Sequence, residues 1–311
     1  MTEYLLFMQR LLLVLLGLVC ANYVEAYDFT AKNEDDVVIY YNYNGAIAIV
    51  TSGEQQYEGT VRIPATVTND GITYEVKLIG PKAFFNCGAL TSVEIPSSVV
   101  AIGSFAFYFC LSLKSIDIHG NVMAIGDRAF AECQNMETIR LSEGLLSIGA
   151  WAFENNLKVQ SVCIPASVTE IGVSAFSGNN AMTTVSVAQG NSFFDSRDDC
   201  NAIIETASNT LISGCQNTRI PHGVVAIGKS AFYGCQNLFL VEIPKTVTSI
   251  ADYAFSNCGK LKKVVSEIKN PFEIDESVFS SLPEDAVLYV PKGTKEAYES
   301  IGGWNIKKSI R

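Results

Sequence analysis

A six-residue block that recurs along the chain constrains its fold more than any other feature of the sequence. The block reads Ile-Gly-x-x-Ala-Phe, and neighbouring copies start 23 residues apart except at one step. In the last copy Ala251 replaces the glycine. Repetition at such a period is typical of solenoids, in which stacked repeats bury one another's apolar faces. The copies start at Ile79, Ile102, Ile125, Ile148, Ile171, Ile227 and Ile250.

Each repeat also contains the pattern of a short strand. Val93 and Ile95 alternate with Ser92 and Glu94, which is the period of a strand with one buried face. Pro96 has no backbone N–H to donate to a ladder, so it ends the strand. The residue between the buried pair then points outward.

The six-residue block follows this strand after a turn. Gly103 permits a turn that a Cβ atom would obstruct, and Ala106 with Phe107 favours a short helical turn that packs inward. One repeat is too small to bury its own apolar face, so we expect the phenylalanines of the blocks to form one buried column. Its members are Phe84, Phe107, Phe130, Phe153, Phe176, Phe232 and Phe255.

The complete frame, L-x-x-V-x-I-P-x-x-V-x-x-I-G-x-x-A-F-x-x-C, resembles the BspA-like leucine-rich repeats of bacterial surface proteins. The resemblance covers residues 76–265. It implies a right-handed leucine-rich-repeat solenoid with a parallel β-sheet on the concave face. Several members of that family are adhesins that bind host matrix proteins or other cells. The resemblance therefore implies a protein or glycan partner on a host or bacterial surface.

Both ends of a solenoid must be covered. Residues 27–75 contain strand-like runs at 37–43 and 46–51, joined by the hairpin signal Asn44-Gly45, and predict an N-terminal β cap. A second turn is predicted at residues 69–71. Residues 266–311 predict a C-terminal cap with a strand at 288–291, a helix at 294–300 and Trp304 packed on that helix.

The step from Ile171 to Ile227 is longer than one period and indicates an insertion at residues 188–219. Its centre, residues 202–206 and 210–213, predicts a β-hairpin. Two interpretations stay open. Insertions in solenoids often belong to the binding face, but this hairpin could equally extend the sheet.

The first 26 residues have the pattern of a signal peptide. Arg10 precedes the apolar run 11–19, and Val24-Glu25-Ala26 has the small-x-small pattern of a cleavage site. We therefore expect a secreted or cell-surface protein. Cys20 offers the alternative of a lipoprotein, although Val19 is unusual immediately before an acylated cysteine.

Charge and composition argue against several classes of function. The formal net charge is −10, and no run of Lys and Arg is present, so neither nucleic acid nor an anionic membrane is an expected partner. His119 and His222 are expected in exposed turns, far from any nucleophile. Asp195, Asp198 and Asp199 are expected to be a solvated turn rather than a calcium site. We expect no catalysis, cofactor, metal or small-molecule substrate.

Two sets of outward residues are candidates for binding. The first is the row at the outward position of the strands on the concave face, which is mixed in charge. Its members are Glu94, Asp117, Arg140, Cys163, Ser186, Arg219 and Glu242. The second is a flank of aromatic residues at positions that the frame does not require to be apolar. Its members are Phe85, Phe105, Tyr108, Phe109 and Trp151.

The cysteines fall into a column and a pair. Cys87, Cys110, Cys133, Cys235 and Cys258 follow the period, with Asn156 and Asn179 in the intervening repeats. Because stacked thiols point the same way, we expect this column to be free and buried. If the insertion hairpin pairs Glu205 with Thr210, Cys200 lies opposite Cys215, and a disulfide is predicted there.

The sequence thus favours an exported, adhesin-like module that binds a protein. A structural envelope protein that binds copies of itself is an alternative. A glycan-binding protein or a hydrolase is less favoured, since no compact cluster of titratable residues is visible.

Overall fold

The structure, a computed structural model, describes residues 27–304 and Ile306. The predicted signal peptide at residues 1–26 and Cys20 lie outside the described residues. The chain forms a β-solenoid of about nine turns with little helix, as the repeat predicts. Contacts divide it into unit 1, which contains residues 27–156 and 170–175, and unit 2, which contains the remaining described residues.

Unit 1 consists of strands β1 (Phe29–Lys32), β2 (Val38–Asn44), β3 (Ile47–Thr51), β4 (Gly59–Arg62), β5 (Thr66–Asn69), β6 (Ile72–Ile79), β7 (Leu90–Glu94), β8 (Ala101–Ile102), β9 (Ser115–Ile118), β10 (Ala124–Ile125), β11 (Thr138–Leu141), β12 (Ser147–Ile148) and β14 (Glu170–Ile171). Unit 2 consists of β13 (Ser161–Ile164), β15 (Thr184–Val187), β16 (Phe194–Asp195), a 3-10 turn (Arg197–Asp199), β17 (Ala202–Glu205), β18 (Thr210–Gly214), β19 (Ala226–Ile227), β20 (Leu240–Ile243), β21 (Ser249–Ile250), β22 (Lys263–Ser266), β23 (Val287–Tyr289) and helix α1 (Lys295–Ser300). In these described residues no helix is long and apolar enough to cross a bilayer.

The strands of the repeat frame pair in parallel, as predicted. In unit 1, β4 pairs with β7 and β9 with β11. In unit 2, β13 pairs with β15, and β20, β22 and β23 form a three-stranded sheet. Inward residues such as Ile116 and Ile139 are buried and in register, while Asp117 faces Arg140 on the outer side.

A second ladder is built from the two-residue strands at the start of each block. In unit 1 these strands follow the order β6, β8, β10, β12 and β14, and β1, β2 and β3 continue the same sheet on the other side of β6. A strand of only two residues is too short to show a periodic pattern of apolar residues, so the sequence did not predict this ladder.

The segment predicted as a short helical turn is a run of turns instead. The Phe107 N–H donates to the carbonyl oxygen of Ala129 in the next repeat at 2.7 Å, whereas the Ala106 N–H donates to Gly103 at 3.2 Å. The prediction of a helical turn is therefore wrong, because alternate N–H groups bond the neighbouring repeat rather than the preceding turn. The donors to the next repeat are Phe105, Phe107 and Phe109.

The glycine of the block is required by the close approach of neighbouring repeats. A Cβ atom at Gly103 would lie 2.5 Å from the backbone nitrogen of Pro81, and one at Gly126 would lie 2.5 Å from that of Ser104. Because the obstructing atoms are backbone, they cannot rotate away. The absent side chain therefore sets how tightly the repeats stack.

The phenylalanine side chains are buried at all seven predicted positions, which confirms their predicted burial. In unit 1 the rings of Phe107 and Phe130 stack with centroids 4.9 Å apart, and those of Phe130 and Phe153 with centroids 5.3 Å apart. At the N-terminal end of this column, the ring centroids of Tyr57 and Phe84 lie 4.5 Å apart.

The N-terminal segment forms the two predicted turns. β2 and β3 are an antiparallel hairpin whose turn is Gly45 and Ala46, one residue beyond the predicted Asn44-Gly45 pair, and β5 and β6 form another through Asp70 and Gly71. Asp70 and Gly71 both have positive φ, as a tight two-residue hairpin turn requires.

The insertion contains the predicted hairpin, β17 and β18. β18 pairs in parallel with β19, and β19 pairs with β21, so the hairpin extends the short-strand ladder of unit 2. The hairpin thus extends the sheet of unit 2, and its part in binding stays a prediction.

The C-terminal strand and helix also agree with the prediction. β23 pairs with β22, and α1 buries Tyr298 against Trp304 with ring centroids 5.0 Å apart. The Trp304 Nε1–H donates to the carbonyl oxygen of Phe272 at 2.7 Å, so its buried polar atom is satisfied.

Replacement of Phe130 by alanine tests the column. Phe130 is fully buried between two rings, so Phe130→Ala should lower the free energy of unfolding by about 3–5 kcal/mol in a urea titration. Phe85→Ala is the control, because this ring is 41% exposed and its loss should cost less than about 1 kcal/mol. Equal losses in both variants would contradict the role assigned to the column.

Candidate functional site

The outward row in unit 1 is a line of charged side chains on β4, β7, β9 and β11. Arg62 donates from Nε to Glu94 at 3.0 Å and from an Nη atom to Asp35 at 2.7 Å, so this end of the row is paired. Asp117 and Arg140 are exposed and adjacent in register. In the part of the chain that the structure describes, Arg140 has no ion-pair partner, which leaves its cation available to another molecule.

The outward row in unit 2 differs in character. Cys163 is exposed and lies in register with the half-buried Ser186, and Glu242 is exposed on β20. Arg219 is also exposed, but it is the last residue of the insertion and lies outside any strand. Six of the seven predicted residues thus lie on strands, and Arg219 does not.

The aromatic flank forms a contiguous cluster in unit 1, which we call the aromatic cluster: Phe85, Phe105, Tyr108 and Phe109. Phe85 stacks on Tyr108 with centroids 5.5 Å apart, and Phe105 and Phe109 contact the same tyrosine edge-on at 5.5 and 4.8 Å. Phe85 is 41% exposed and the other three are half-buried. The cluster therefore presents aromatic surface to solvent.

Two members of this cluster have a backbone conformation that is unfavourable for bulky side chains. Phe105 and Phe109 have φ values of 59° and 60°, and Trp151 has a φ of 54°. The left-handed region costs a residue with a Cβ about 1–2 kcal/mol. Equivalent positions elsewhere hold small or polar residues such as Ser174 and Asn86, so the fold does not require aromatic side chains there.

Trp151 lies on the same turn side of unit 1 and contacts charged residues. The Arg128 guanidinium lies 4.8 Å from the centre of the indole ring and 3.4 Å from a carboxylate oxygen of Glu154. Burial raises the pKa of Glu154, and the charge of Arg128 opposes that rise. A cation over an indole beside a carboxylate is a composition found at protein-binding hot spots.

The cysteine column is a set of hydrogen-bond donors. The Cys133 thiol donates to the carbonyl oxygen of Phe107 at 3.1 Å, and the amide of Asn156 donates to that of Phe130 at 3.0 Å. The thiol and the amide thus donate to equivalent carbonyl oxygens in successive repeats, which explains why Asn replaces Cys in the sequence. The thiols are buried and free, as predicted.

The predicted disulfide between Cys200 and Cys215 is not formed, and both thiols are free and buried. Glu205 does pair with Thr210, as the prediction assumed, but a bulge between Ile203 and Ile204 shifts the register by one residue. The two cysteines are therefore no longer opposite each other. The Cys215 thiol donates instead to the carbonyl oxygen of Asn201 at 3.6 Å.

The described residues contain no group of three or more His, Cys, Asp and Glu side chains that could hold a metal ion. His119 is half-buried in a turn with Nε2 2.9 Å from the carbonyl oxygen of Pro96, and His222 is exposed. In the insertion, Asp195 is bound by Arg197 at 2.6 Å, and hydrogen bonds from Arg197 lower its pKa against the opposing effect of burial. These positions bring together no nucleophile and base.

Residues 65–196 and 208–301 match six copies of the BspA type leucine-rich repeat region. This match spans more than half of the chain. The protein belongs to the BspA-type leucine-rich repeat family. No curated protein gives a significant match.

Several solved structures, most of them leucine-rich repeat proteins, have the same fold. A leucine-rich cell surface protein from Faecalibacterium prausnitzii is 23% identical, with a TM-score of 0.52, over 93% of this chain and 96% of that one. A leucine-rich repeat protein from Bacteroides ovatus is 24% identical, with a TM-score of 0.53, over 88% and 81%. The pneumococcal vaccine antigen PcpA is 18% identical, with a TM-score of 0.50, over 92% and 99%.

Sequence reasoning missed two parts of the outward row of this BspA-type repeat protein. Arg62 lies in Val61-Arg62-Ile63-Pro64, and Tyr289 lies in Leu288-Tyr289-Val290-Pro291. Both segments match the strand part of the frame without the Ile-Gly block. A search for the strand motif alone would have placed both residues on the row.

Thiol accessibility tests the assignment of the cysteines. Burial raises the pKa of Cys87 to about 12 and that of Cys200 to about 11, whereas Cys163 is exposed. In a Cys20→Ser background at pH 8, Ellman's reagent should react rapidly with one thiol of the folded protein, and Cys163→Ser should abolish that phase. Denaturation should release the seven buried thiols. A shortfall of two would instead support the Cys200–Cys215 disulfide.

Proposed function

We propose that this protein is an exported surface-binding protein that holds a protein partner through the turn side of unit 1 and carries out no catalysis. The observation that carries the proposal is the aromatic cluster together with Trp151. Interfaces concentrate their binding energy in exposed aromatic and arginine side chains. Here three such residues, Phe105, Phe109 and Trp151, occupy positions where the fold does not need an aromatic side chain and where the backbone is strained.

Export and surface location are supported by two observations. Residues 1–26 have the pattern of a signal peptide, and a related structure is described as a leucine-rich cell surface protein. Adhesion is the role that the family resemblance suggests for such a protein. The charged row of unit 1, with the unpaired Arg140, is the second candidate surface for the same function.

The aromatic proposal predicts selective loss of binding when the cluster is removed. The mature protein would be tested against immobilised matrix proteins, mucin and whole bacterial cells, and then the Phe105→Ser, Tyr108→Ser and Trp151→Ser variant against the best binder. We expect affinity to fall at least about 100-fold, as for hot-spot residues. The melting temperature should change little, since the three rings are partly exposed and the positions equivalent to 105 and 151 already hold Ser174 and Ser230 in other repeats.

Tyr253→Ser is the matched control. Tyr253 occupies the same frame position as Phe105 and Trp151, has a φ of 58° and is 45% exposed, but it lies in unit 2. Its replacement should leave binding unchanged. If the triple variant also binds normally, the aromatic proposal is contradicted.

The charged row predicts a different pattern. Reversal of Arg140 to Glu should weaken binding and its dependence on salt if the outward row of unit 1 contacts the partner. Arg219→Glu is the control, because Arg219 is exposed but lies outside the strands. A loss of affinity in the Arg140 variant alone, with none in the aromatic variant, would move the binding surface to the strand face.

A further inference from the structure

The outward face of the frame strands in unit 1 is polar. Each of β4, β7, β9 and β11 presents an outward hydroxyl and, two residues later, an outward charge, while the residue between them is buried. None of these outward positions holds an apolar side chain. We call this surface the polar strand face. Its hydroxyl row is Thr60, Ser92, Ser115 and Thr138, and its charged row is Arg62, Glu94, Asp117 and Arg140.

The hydroxyl row is free to bind another molecule. Thr60 and Ser92 lie in register on neighbouring strands, and so do Ser115 and Thr138. Among the described residues, none of these four hydroxyls has a hydrogen-bond partner. Neighbouring strands are about 4.8 Å apart, so the row offers one hydroxyl at each such step along the stack. Each hydroxyl can both donate and accept a hydrogen bond.

Oppositely charged side chains lie beside this row without pairing. Asp117 and Arg140 are neighbours in register and are exposed, yet within the described part of the chain they form no ion pair. Lys114 and Glu137 repeat this arrangement on the residues that precede the hydroxyls of β9 and β11, and they too are exposed and unpaired there. Donors and acceptors thus stand side by side and remain available.

The charge of this face differs from that of the unit that carries it. Arg62 and Glu94 form an ion pair at 3.0 Å, so the face has three cations and three carboxylates and no net charge. In the whole of unit 1, 16 Asp and Glu residues outnumber 7 Lys and Arg residues. The balanced face therefore selects neither a polyanion nor a polycation, and the excess negative charge around it repels polyanions.

The composition of the face also disfavours a protein ligand. Protein interfaces concentrate their binding energy in aromatic and other apolar anchors, which the outward positions of these strands lack. Adjacent carboxylates and cations are instead complementary to hydroxyl groups, because a hydroxyl donates to the carboxylate and accepts from the ammonium or guanidinium. The ligand that matches this pattern is neutral, rich in hydroxyls and extended along the stack.

We propose that the polar strand face binds a neutral, extended glycan that runs across β4, β7, β9 and β11, with about one sugar for each strand step of about 4.8 Å. Sugar hydroxyls bind the hydroxyl row, donate to the carboxylates of Asp117 and Glu137, and accept from Arg140 and Lys114. This face is formed by strands, whereas the aromatic cluster lies on the turn side of unit 1. The two sites are therefore independent.

The test is isothermal titration calorimetry of the mature protein with four neutral hexasaccharides: cellohexaose, chitohexaose, xylohexaose and mannohexaose. At least one should bind with a Kd of about 1 mM or lower. Its affinity should rise from the disaccharide to the tetrasaccharide, because each of the four strands adds contacts. Hexagalacturonate, which carries a carboxylate on each sugar, should not bind at the same concentration.

Two variants locate the binding. Asp117→Ala with Arg140→Ala should weaken binding of that glycan by about tenfold or more, which is about 1.4 kcal/mol. Ser115→Ala with Thr138→Val removes two hydroxyls and should weaken it about threefold or more. Glu34→Ala with Lys245→Ala is the matched control for charge, because both residues are exposed and lie off the face. This control should bind the glycan normally.

The triple variant of the aromatic cluster should also bind the glycan normally, which separates this site from the proposed protein-binding site. The inference is overturned if no neutral hexasaccharide binds at about 1 mM, or if hexagalacturonate binds more tightly than all four. It is also overturned if the variants of the face bind the glycan as well as the control does. Loss of a protein partner in the Asp117 and Arg140 variant, without any glycan binding, would assign the face to that protein instead.

Discussion

The close stacking of each repeat on the next is the constraint on which the rest of the structure depends. Rings of the phenylalanine column lie 4.9 and 5.3 Å apart around Phe130, a separation that requires adjacent backbones to approach closely. Gly103 and Gly126 permit this approach, because a Cβ atom would meet the neighbouring backbone at 2.5 Å. Apolar burial then stabilises the stack, and backbone groups bond from repeat to repeat.

Because the core is formed by the inward residues alone, the outward positions are free for function. The core uses the inward strand residues, the alanine and phenylalanine of each block, and the buried thiol or amide. Unit 1 presents aromatic rings on its turn side and a polar face on its frame strands. A solenoid of this kind can carry several binding surfaces, because each repeat contributes its own outward residues to one ladder.

The cysteines show how one acceptor can be satisfied by different side chains. A thiol from Cys133 and an amide from Asn156 reach equivalent carbonyl oxygens at 3.1 and 3.0 Å. A buried carbonyl oxygen without a donor is costly, so either side chain is suitable and a residue without a donor is not. The column is thus a structural feature of the turns.

The sequence by itself determined the solenoid, the buried column, both N-terminal turns and the hairpin at β17 and β18, because a fixed period and tight turns are local signals. It failed at the turn segment, since the hydrogen bonds of Phe105, Phe107 and Phe109 go to another repeat. It failed at Cys200 and Cys215, since a bulge at Ile203 and Ile204 shifts their register. Only the tertiary structure brought Phe85 onto Tyr108 and Arg62 onto Glu94, because contacts between residues more than 20 apart in the chain depend on how the repeats stack.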